Sequence, residues 1–387
     1  MTRRKIIAVT GARSEFDLLE PVYSKLNVDN RFDFSIIVTG AHLSENFGST
    51  VDQVRGANLP IADELYTLLD SDQKIGRAIS LGNQIVQLAI SLNRLNPDIV
   101  LVVGDREEAL SVTTVCAYMG VPVAHFFGGD IAKDGNIDNS VRYAASKLAH
   151  FHFPSMESHR QNLLKLGEED RRIFVMGNPS LEKLISTRII DKAELSNLLK
   201  FNLLEEEYLV LIQHSIVSEA NIQREQILKT LNAIVESGMK CLINYPNSDA
   251  GNHEIIKAYS EYVAAFPDQF LLFQNLEREV YVNVLRNAKC LLGNSSSGLT
   301  EAPTLALPAI NIGIRQKDRE HGDNVIFVDN DMEQILTALK KIDSVEFLSV
   351  LNKKRNPYGE GGSSDYVVEV LAKLDIDESL IYKNITF

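Results

Sequence analysis

Short apolar runs alternate along this chain with stretches whose apolar residues recur at helical spacing. Residues 5–10 read as a first strand and 15–26 as an amphipathic helix. A second strand is expected at 33–39. Residues 74–95 keep the helical period and stop before Pro97. The run 98–103 is almost wholly apolar, as a parallel strand buried on both faces must be. A helix at 107–119 and a strand at 121–126 follow. A second series of strands is expected at 208–213, 240–244, 269–273, 289–292 and 308–312, with helices between them. The polar stretch 189–207 reads as helical, and 365–374 as a final helix. Such alternation implies βαβ units and doubly wound parallel sheets.

With 387 residues the chain is too long for one core. The expected division is a first domain over 1–180, a second over 181–365, and a helix and tail over 366–387. Two such domains would face one another across a cleft at the carboxyl ends of their strands, where open α/β sheets bind ligands. Composition is ordinary for a globular chain, with 45% hydrophobic and 24% charged residues. No apolar run is long enough to span a bilayer, and the basic start passes at once into the first strand, so neither a membrane nor a leader is expected. The net charge of −13 argues against a nucleic-acid partner, which needs a basic face. It does not argue against a small anion, because distant charge is screened within about 8–10 Å. Cys116, Cys241 and Cys290 lie in apolar stretches without metal-ligand spacing. They read as free thiols in a reducing cytoplasm.

The candidate chemistry falls just after the strands. Cys290-Leu-Leu-Gly-Asn-Ser-Ser-Ser-Gly-Leu-Thr-Glu reads as strand, small-residue turn and helix start. Uncovered N–H groups and a helix dipole there would suit phosphate; the alternative is an ordinary serine cap. Gly293, Asn294, Ser295, Ser296 and Ser297 are the candidate binding residues, with Glu301 one turn inside. Arg315 and Arg319 follow the last of these strands. Asp105, after Val-Leu-Val-Val-Gly, is either a helix cap or a catalytic carboxylate, and Arg106 is its expected counter-ion. Asp130 and Asp138 share a glycine-containing polar loop with Asp134 and Gly135. His42 and His214 are either hydrogen-bonded structural residues or acid–base groups. Arg13 would pair with phosphate or with a neighbouring acid. His150 and His152 lack a carboxylate or cysteine partner in sequence, so no metal is expected. Walker A, G-x-G-x-x-G, G-x-S-x-G and HExxH sequences do not occur.

Gly11-Ala-Arg-Ser-Glu, Thr39-Gly-Ala-His-Leu, Val103-Gly-Asp-Arg, His125-x-x-Gly-Gly-Asp, Ile137-Asp-Asn-Ser-Val-Arg, Gln213-His, Pro246-Asn-x-Asp-Ala-Gly, Gly293-Asn-Ser-Ser-Ser-Gly and Gly313-Ile-Arg-Gln occur in that order. In this ordered set the chain resembles the UDP-N-acetylglucosamine 2-epimerases, and looks closest to the hydrolysing branch that makes N-acetylmannosamine for sialic acid synthesis. The resemblance runs from the first strand to about residue 325. It implies a fold like that of the GT-B glycosyltransferases, with two Rossmann-like domains and a final helix crossing back. It also implies a homodimer and neither metal nor redox cofactor. Carried over, it puts the diphosphate on Ser295, Ser296, Arg13 and Arg315, and the ribose on Glu301. Asn247 and Asp249 would line the sugar or phosphate region, His214 would touch either, and His42 the sugar side. Asp105 and Asp138 match the catalytic carboxylates.

Two departures bear on the substrate. Relatives carry Glu or His where this chain has Phe127, and often a second Asp where it has Asn139. Either Asp130 takes over the missing proton chemistry or the sugar differs. The expected substrate is UDP-N-acetylglucosamine. The alternatives are a UDP- or GDP-linked N,N′-diacetylbacillosamine, a non-hydrolysing epimerase, a GT-B glycosyltransferase, and a nucleotide-sugar binding module without catalysis.

Overall fold

Each half of the chain builds a six-stranded, wholly parallel sheet. In the computed structural model, the residues described are all but 1–2, 46–47, 70–73, 132–136, 205, 247–250, 275, 352, 354, 385 and 387. The first sheet contains β1 (Arg4–Thr10), β2 (Phe32–Thr39), β3 (Ile61–Leu65), β4 (Ile99–Val103), β5 (Val123–Phe126) and β6 (Phe151–Phe153), in the order β3-β2-β1-β4-β5-β6. The second contains β7 (Tyr208–Ile212), β8 (Lys240–Asn244), β9 (Phe270–Phe273), β10 (Cys290–Gly293), β11 (Ala309–Ile312) and β12 (Val325–Val328), in the order β12-β11-β10-β7-β8-β9. These are the two Rossmann-like sheets of a GT-B-like α/β fold. The chain divides into two units, Met1–Lys183 with Gly361–Phe387, and Leu184–Glu360.

The continuous apolar strands have a simple cause. In β4, Ile99, Leu101 and Val103 join the core on one face, while Val100 and Val102 join the core on the other. β7 does the same, with Leu209 and Leu211 on one side and Tyr208, Val210 and Ile212 on the other. Burying each such side chain contributes about 1.5–3 kcal/mol, so a central strand has no position for a polar residue. Three strands beyond those expected, β3, β6 and β12, lie at outer ends of the sheets; β3 carries Asp63 and Glu64, β6 has three residues, and β12 reads Val-Ile-Phe-Val.

Sheet order also fixes where ligands belong. Winding reverses between β1 and β4 in the first sheet and between β7 and β10 in the second. Each reversal leaves a crevice at the carboxyl ends of two adjacent strands.

The stretch 189–207 holds one helix, Lys192–Leu199, and is otherwise irregular. The helix expected at 365–374, Ser363–Lys373, packs on the helix Arg13–Val28 of the first unit, and a short helix, Glu378–Ile381, follows it. Behind it, buried Arg172 donates to the carbonyls of Ser379, Leu380 and Tyr382. The Lys383 ammonium donates to the carbonyls of Ser146, Lys147 and Ala149, at the end of the helix Asp138–Leu148. A cation at a helix C-terminus is favourably placed against its dipole. Among the described residues no helix is long and apolar enough to cross a membrane.

Candidate active site

The first unit gathers its carboxylates around one arginine. Gly104 takes a left-handed φ of 79° after β4 and turns the chain to present Asp105. His125 pins that turn: its Nε2 lies 2.7 Å from the Gly104 carbonyl, and its Nδ1 3.0 Å from Ser146 Oγ. Burial pushes this imidazole down to about 3, so it stays neutral and donates to the carbonyl. Arg142 ion-pairs with Asp105 through one guanidinium nitrogen. Through the other it donates to the Asp130 backbone carbonyl at 2.9 Å. Asp138 opens the same helix one turn before Arg142, 3.9 Å from Arg77. Arg142 thus holds the Asp105 carboxylate and the Asp130 backbone, while Asp138 lies four residues before it on the same helix. The expected counter-ion of Asp105 was Arg106; Arg142 takes that place, because Arg106 turns towards Glu15 and Glu108.

Asp130 receives the Ile131 N–H at 2.8 Å and faces His159 Nε2 at 3.4 Å. Before it, Phe127 takes φ +60°, a conformation that costs an aromatic residue of order 1–3 kcal/mol. Its N–H donates to the Phe153 carbonyl, and its ring packs against the core. Gly129, at φ +82°, passes so close to the His159 carbonyl that a side chain would overlap it.

His42 takes the structural alternative. The ring is fully buried, with Nε2 3.1 Å from Thr10 Oγ1 and Nδ1 2.8 Å from Thr50 Oγ1. Neither nitrogen is left for a sugar. Desolvation lowers its pKa to about 4. Arg13 is half-exposed and paired with Asp17 at 3.4 Å.

In the second unit the serine turn follows β10. Gly293 has φ +113°, and a Cβ there would overlap the Ile212 carbonyl, so only glycine fits. The Asn294 side chain is buried and fully used: Oδ1 accepts the His214 N–H at 2.7 Å, and Nδ2 donates to the His214 carbonyl at 2.9 Å. It therefore clamps the turns after β7 and β10 together. Its own carbonyl accepts from Arg315 at 3.1 Å and from Gln316 at 3.0 Å. Arg319 reaches this group through Gln316 Oε1, at 2.9 Å. The expected helix dipole is weak, since the helix is the single turn Ser297–Thr300, and four residues align few peptide dipoles. Any anion there depends on the Arg315 guanidinium and the serine groups. Glu301 pairs with Arg278 at 2.6 Å. Burial, and then the nearby Arg315 charge, lower the His214 imidazole to about 4, so it is neutral at pH 7. Asn247, Asp249, Asp134 and Gly135 lie outside the described residues. Among the described residues no group of histidines, cysteines and acids could hold a metal ion.

The family model described as UDP-N-acetylglucosamine 2-epimerase matches residues 24–372. The chain belongs to the UDP-N-acetylglucosamine 2-epimerase family. Among its relatives, UDP-N,N′-diacetylbacillosamine 2-epimerase (hydrolyzing) of Legionella pneumophila is 32% identical over 98% of both chains. GDP/UDP-N,N′-diacetylbacillosamine 2-epimerase (hydrolyzing) of Campylobacter jejuni is 33% identical over 90% of this chain and 89% of the other. UDP-N-acetylglucosamine 2-epimerase of Neisseria meningitidis is 30% identical over 88% of each. The protein thus falls in the hydrolysing branch of the family. The crystal structure of UDP-GlcNAc 2-epimerase from Neisseria meningitidis bound to UDP-GlcNAc shares its fold, with a TM-score of 0.81 over 96% of this chain and all of the other at 21% identity.

Within this 2-epimerase several residues near the candidate site escaped the sequence reading. Arg142 had a signal, being one helical turn after Asp138 within a single motif. Glu15 closes the Gly11-Ala-Arg-Ser-Glu motif, while Glu108 had almost no signal, since an acid in the first turn of a helix ordinarily reads as solvated. Both are buried. Gln316 closes the Gly313-Ile-Arg-Gln motif, whereas Arg278 gave no signal, because it acts on a residue distant in sequence.

Proposed function

We propose that this protein is a hydrolysing 2-epimerase that converts a UDP-linked 2-acetamido sugar to a free sugar, inverted at C2, and UDP. The observation that carries the reading is the Asp105 carboxylate, presented after β4 and paired with Arg142, whose other nitrogen holds the Asp130 backbone and whose helix begins at Asp138. A C2–H bond of a sugar is not acidic. As the C1–O bond to the diphosphate breaks, positive charge grows at C1 and the neighbouring proton becomes labile. Asp105, oriented by Arg142, takes that proton. The C2–H pair becomes the C1=C2 double bond of a 2-acetamidoglycal, and the C1–O pair leaves with UDP. Water then supplies a hydroxyl to C1 while Asp130 or Asp138 delivers a proton to the opposite face of C2. No step consumes a redox equivalent. Ser295, Ser296 and Arg315 meet the departing diphosphate as preorganised electrostatics, and Glu301 meets the ribose.

Two observations favour UDP-N,N′-diacetylbacillosamine as the precursor. The Legionella and Campylobacter relatives carry that sugar in their names. Phe127 also replaces the polar residue that the family pattern carries, which suits a 6-deoxy sugar with a second acetamido group. UDP-N-acetylglucosamine, giving N-acetylmannosamine for sialic acid, is the second reading, favoured by the motif set and the Neisseria relative. Competing the two nucleotide sugars and following free sugar and UDP by NMR tests this. The first reading predicts at least a tenfold preference in kcat/KM for the diacetamido substrate. An intact, epimerised nucleotide sugar as product would overturn hydrolysis itself.

A cytoplasmic homodimer belongs to the same reading. Cys116, Cys241 and Cys290 are buried free thiols. Ile75, Ile79, Val86 and Ile90 are 46–66% exposed along one side of the helix Lys74–Leu95, a stripe suited to a second copy. Light scattering of Ile79→Lys/Val86→Lys should report monomer; a persistent dimer would place the contact elsewhere.

A further inference from the structure

Beside Asp105 lies a buried pair of acids that the reaction scheme above does not use. Glu15 and Glu108 are 5% and 6% exposed. Both pack against Gly11: Glu15 Oε2 accepts its N–H at 2.9 Å, and a Cβ on Gly11 or Gly40 would run into the Glu108 carboxyl. The glycines therefore leave space that the Glu108 carboxyl fills. One oxygen of each acid, Glu15 Oε1 and Glu108 Oε2, has no hydrogen-bond partner among the described residues. Each of these oxygens is 4.0 Å from Arg106 Nε. Two buried carboxylates facing one guanidinium would carry a net negative charge in a poorly solvated place. Like charges so arranged do not both ionise at neutral pH.

We propose that Glu15 and Glu108 hold one proton between them and, with Arg106, form a charge-balanced triad that aims the Arg106 guanidinium at the nucleotide sugar beside Asp105. These two acids are positioning residues, since they act through Arg106. The proposal rests on the reading of the β1/β4 edge as the sugar site. Burial first, and then the Glu108 charge, push the Glu15 carboxyl up to about 8, against the pull of Arg106. The other ionisable neighbours leave the window around that pH clear. On the helix Arg13–Val28, Arg13 is paired with Asp17, and burial pushes the Tyr23 hydroxyl far up. In the turn after β2, His42 is neutral. In the turn after β4, Asp105 is paired with Arg142, and Glu107 next to Glu108 is paired with Arg77. Above pH 8 the shared proton is lost, the pair gains a negative charge, and Arg106 is drawn away from an anionic substrate.

The test compares the wild type with Glu15→Gln, Glu108→Gln, the double variant and Arg106→Met. Infrared difference spectra of the wild type minus Glu15→Gln should show a buried carboxylic-acid carbonyl band at pH 7 that titrates away near pH 8. This readout needs no substrate, so it stands or falls apart from the assigned reaction. In kinetics, kcat/KM of the wild type should fall as pH rises through 8, and each single variant should lose that limb. The double variant, with no anion facing Arg106, should raise KM at least tenfold with kcat changed less than threefold, and Arg106→Met should match it. If the double variant does not fold, the single variants still decide. Absence of the acid band, an alkaline limb that survives in both single variants, or a double-variant defect equal to the product of the single ones would overturn the proposal.

Discussion

The two crevices of this protein share a topology and differ in chemistry. At β1/β4, Glu15 and Glu108 face the Arg106 guanidinium, and Arg142 pairs with Asp105 and donates to the Asp130 backbone carbonyl. At β7/β10 the groups are a neutral His214, an amide clamp from Asn294, hydroxyls, and Arg315. The first holds acids, and burial pushes the carboxyl of one of them, Glu15, up to about 8. The second offers donors and a fixed positive charge, which can hold an anion and do little else. In the proposed reaction one wound-sheet plan serves two halves, and the turns after the strands set which half each sheet would perform.

The sharpest way to break this comparison is to damage one crevice and measure both functions. Asp105→Asn removes the proposed base, and a proton-transfer group typically contributes about 10²–10⁴-fold. Turnover should fall by that much while UDP affinity, measured by calorimetry, stays within about threefold. Equal losses in both would mean that the crevices do not divide the work. The reverse experiment is Arg315→Ala. Losing a hydrogen bond to a charged group costs about 1.5–3 kcal/mol, or roughly 10–100-fold in UDP affinity. A change in kcat alone would contradict its assignment to the diphosphate.

Two smaller effects concern stability. Gly293→Ala forces a side chain onto the Ile212 carbonyl at a strained φ, with an expected cost of about 2 kcal/mol in urea unfolding. An unchanged midpoint would mean that the turn is not held as described. The Glu15 carboxyl titrates near 8 in the fold, against 4.5 as its ordinary value. Between these values the folded chain keeps a proton that the unfolded chain has lost. Its contribution therefore makes stability fall as pH rises across that window and level off above it, by at most about 1.4 kcal/mol per pH unit. Glu15→Gln should flatten the slope between pH 5.5 and 7.5; an identical slope would show that Glu15 ionises normally.

The sequence carried the fold because the central strands are buried on both faces. Residues 99–103 admit no polar side chain, and Gly104, Asp105 and the helix Glu107–Met119 follow in register. The outer strands of the first sheet were hidden for the opposite reason. β3 reads Ile-Ala-Asp-Glu-Leu, half-buried with Asp63 and Glu64 inside it, and β6 is only Phe-His-Phe. At the site, residues that act on near neighbours in sequence were legible, as Asp138 and its Ile-Asp-Asn-Ser-Val-Arg motif show. Residues that act across strands were not. Pairing Asp105 with the adjacent Arg106 was the natural local expectation, and only the packing of the helix Asp138–Leu148 reveals Arg142 in that place. Glu108 looked like surface charge because Gly11 and Gly40, which make room for it, belong to other turns.

The account rests on a proton leaving C2 to an aspartate as UDP departs. Turnover of the UDP-linked sugar in D₂O, followed by NMR of the released sugar, tests this directly. The account predicts deuterium at an inverted C2 of the free sugar, and its disappearance together with turnover in Asp105→Asn. Release of a sugar with protium at an unchanged C2 would show plain glycosyl hydrolysis and contradict it.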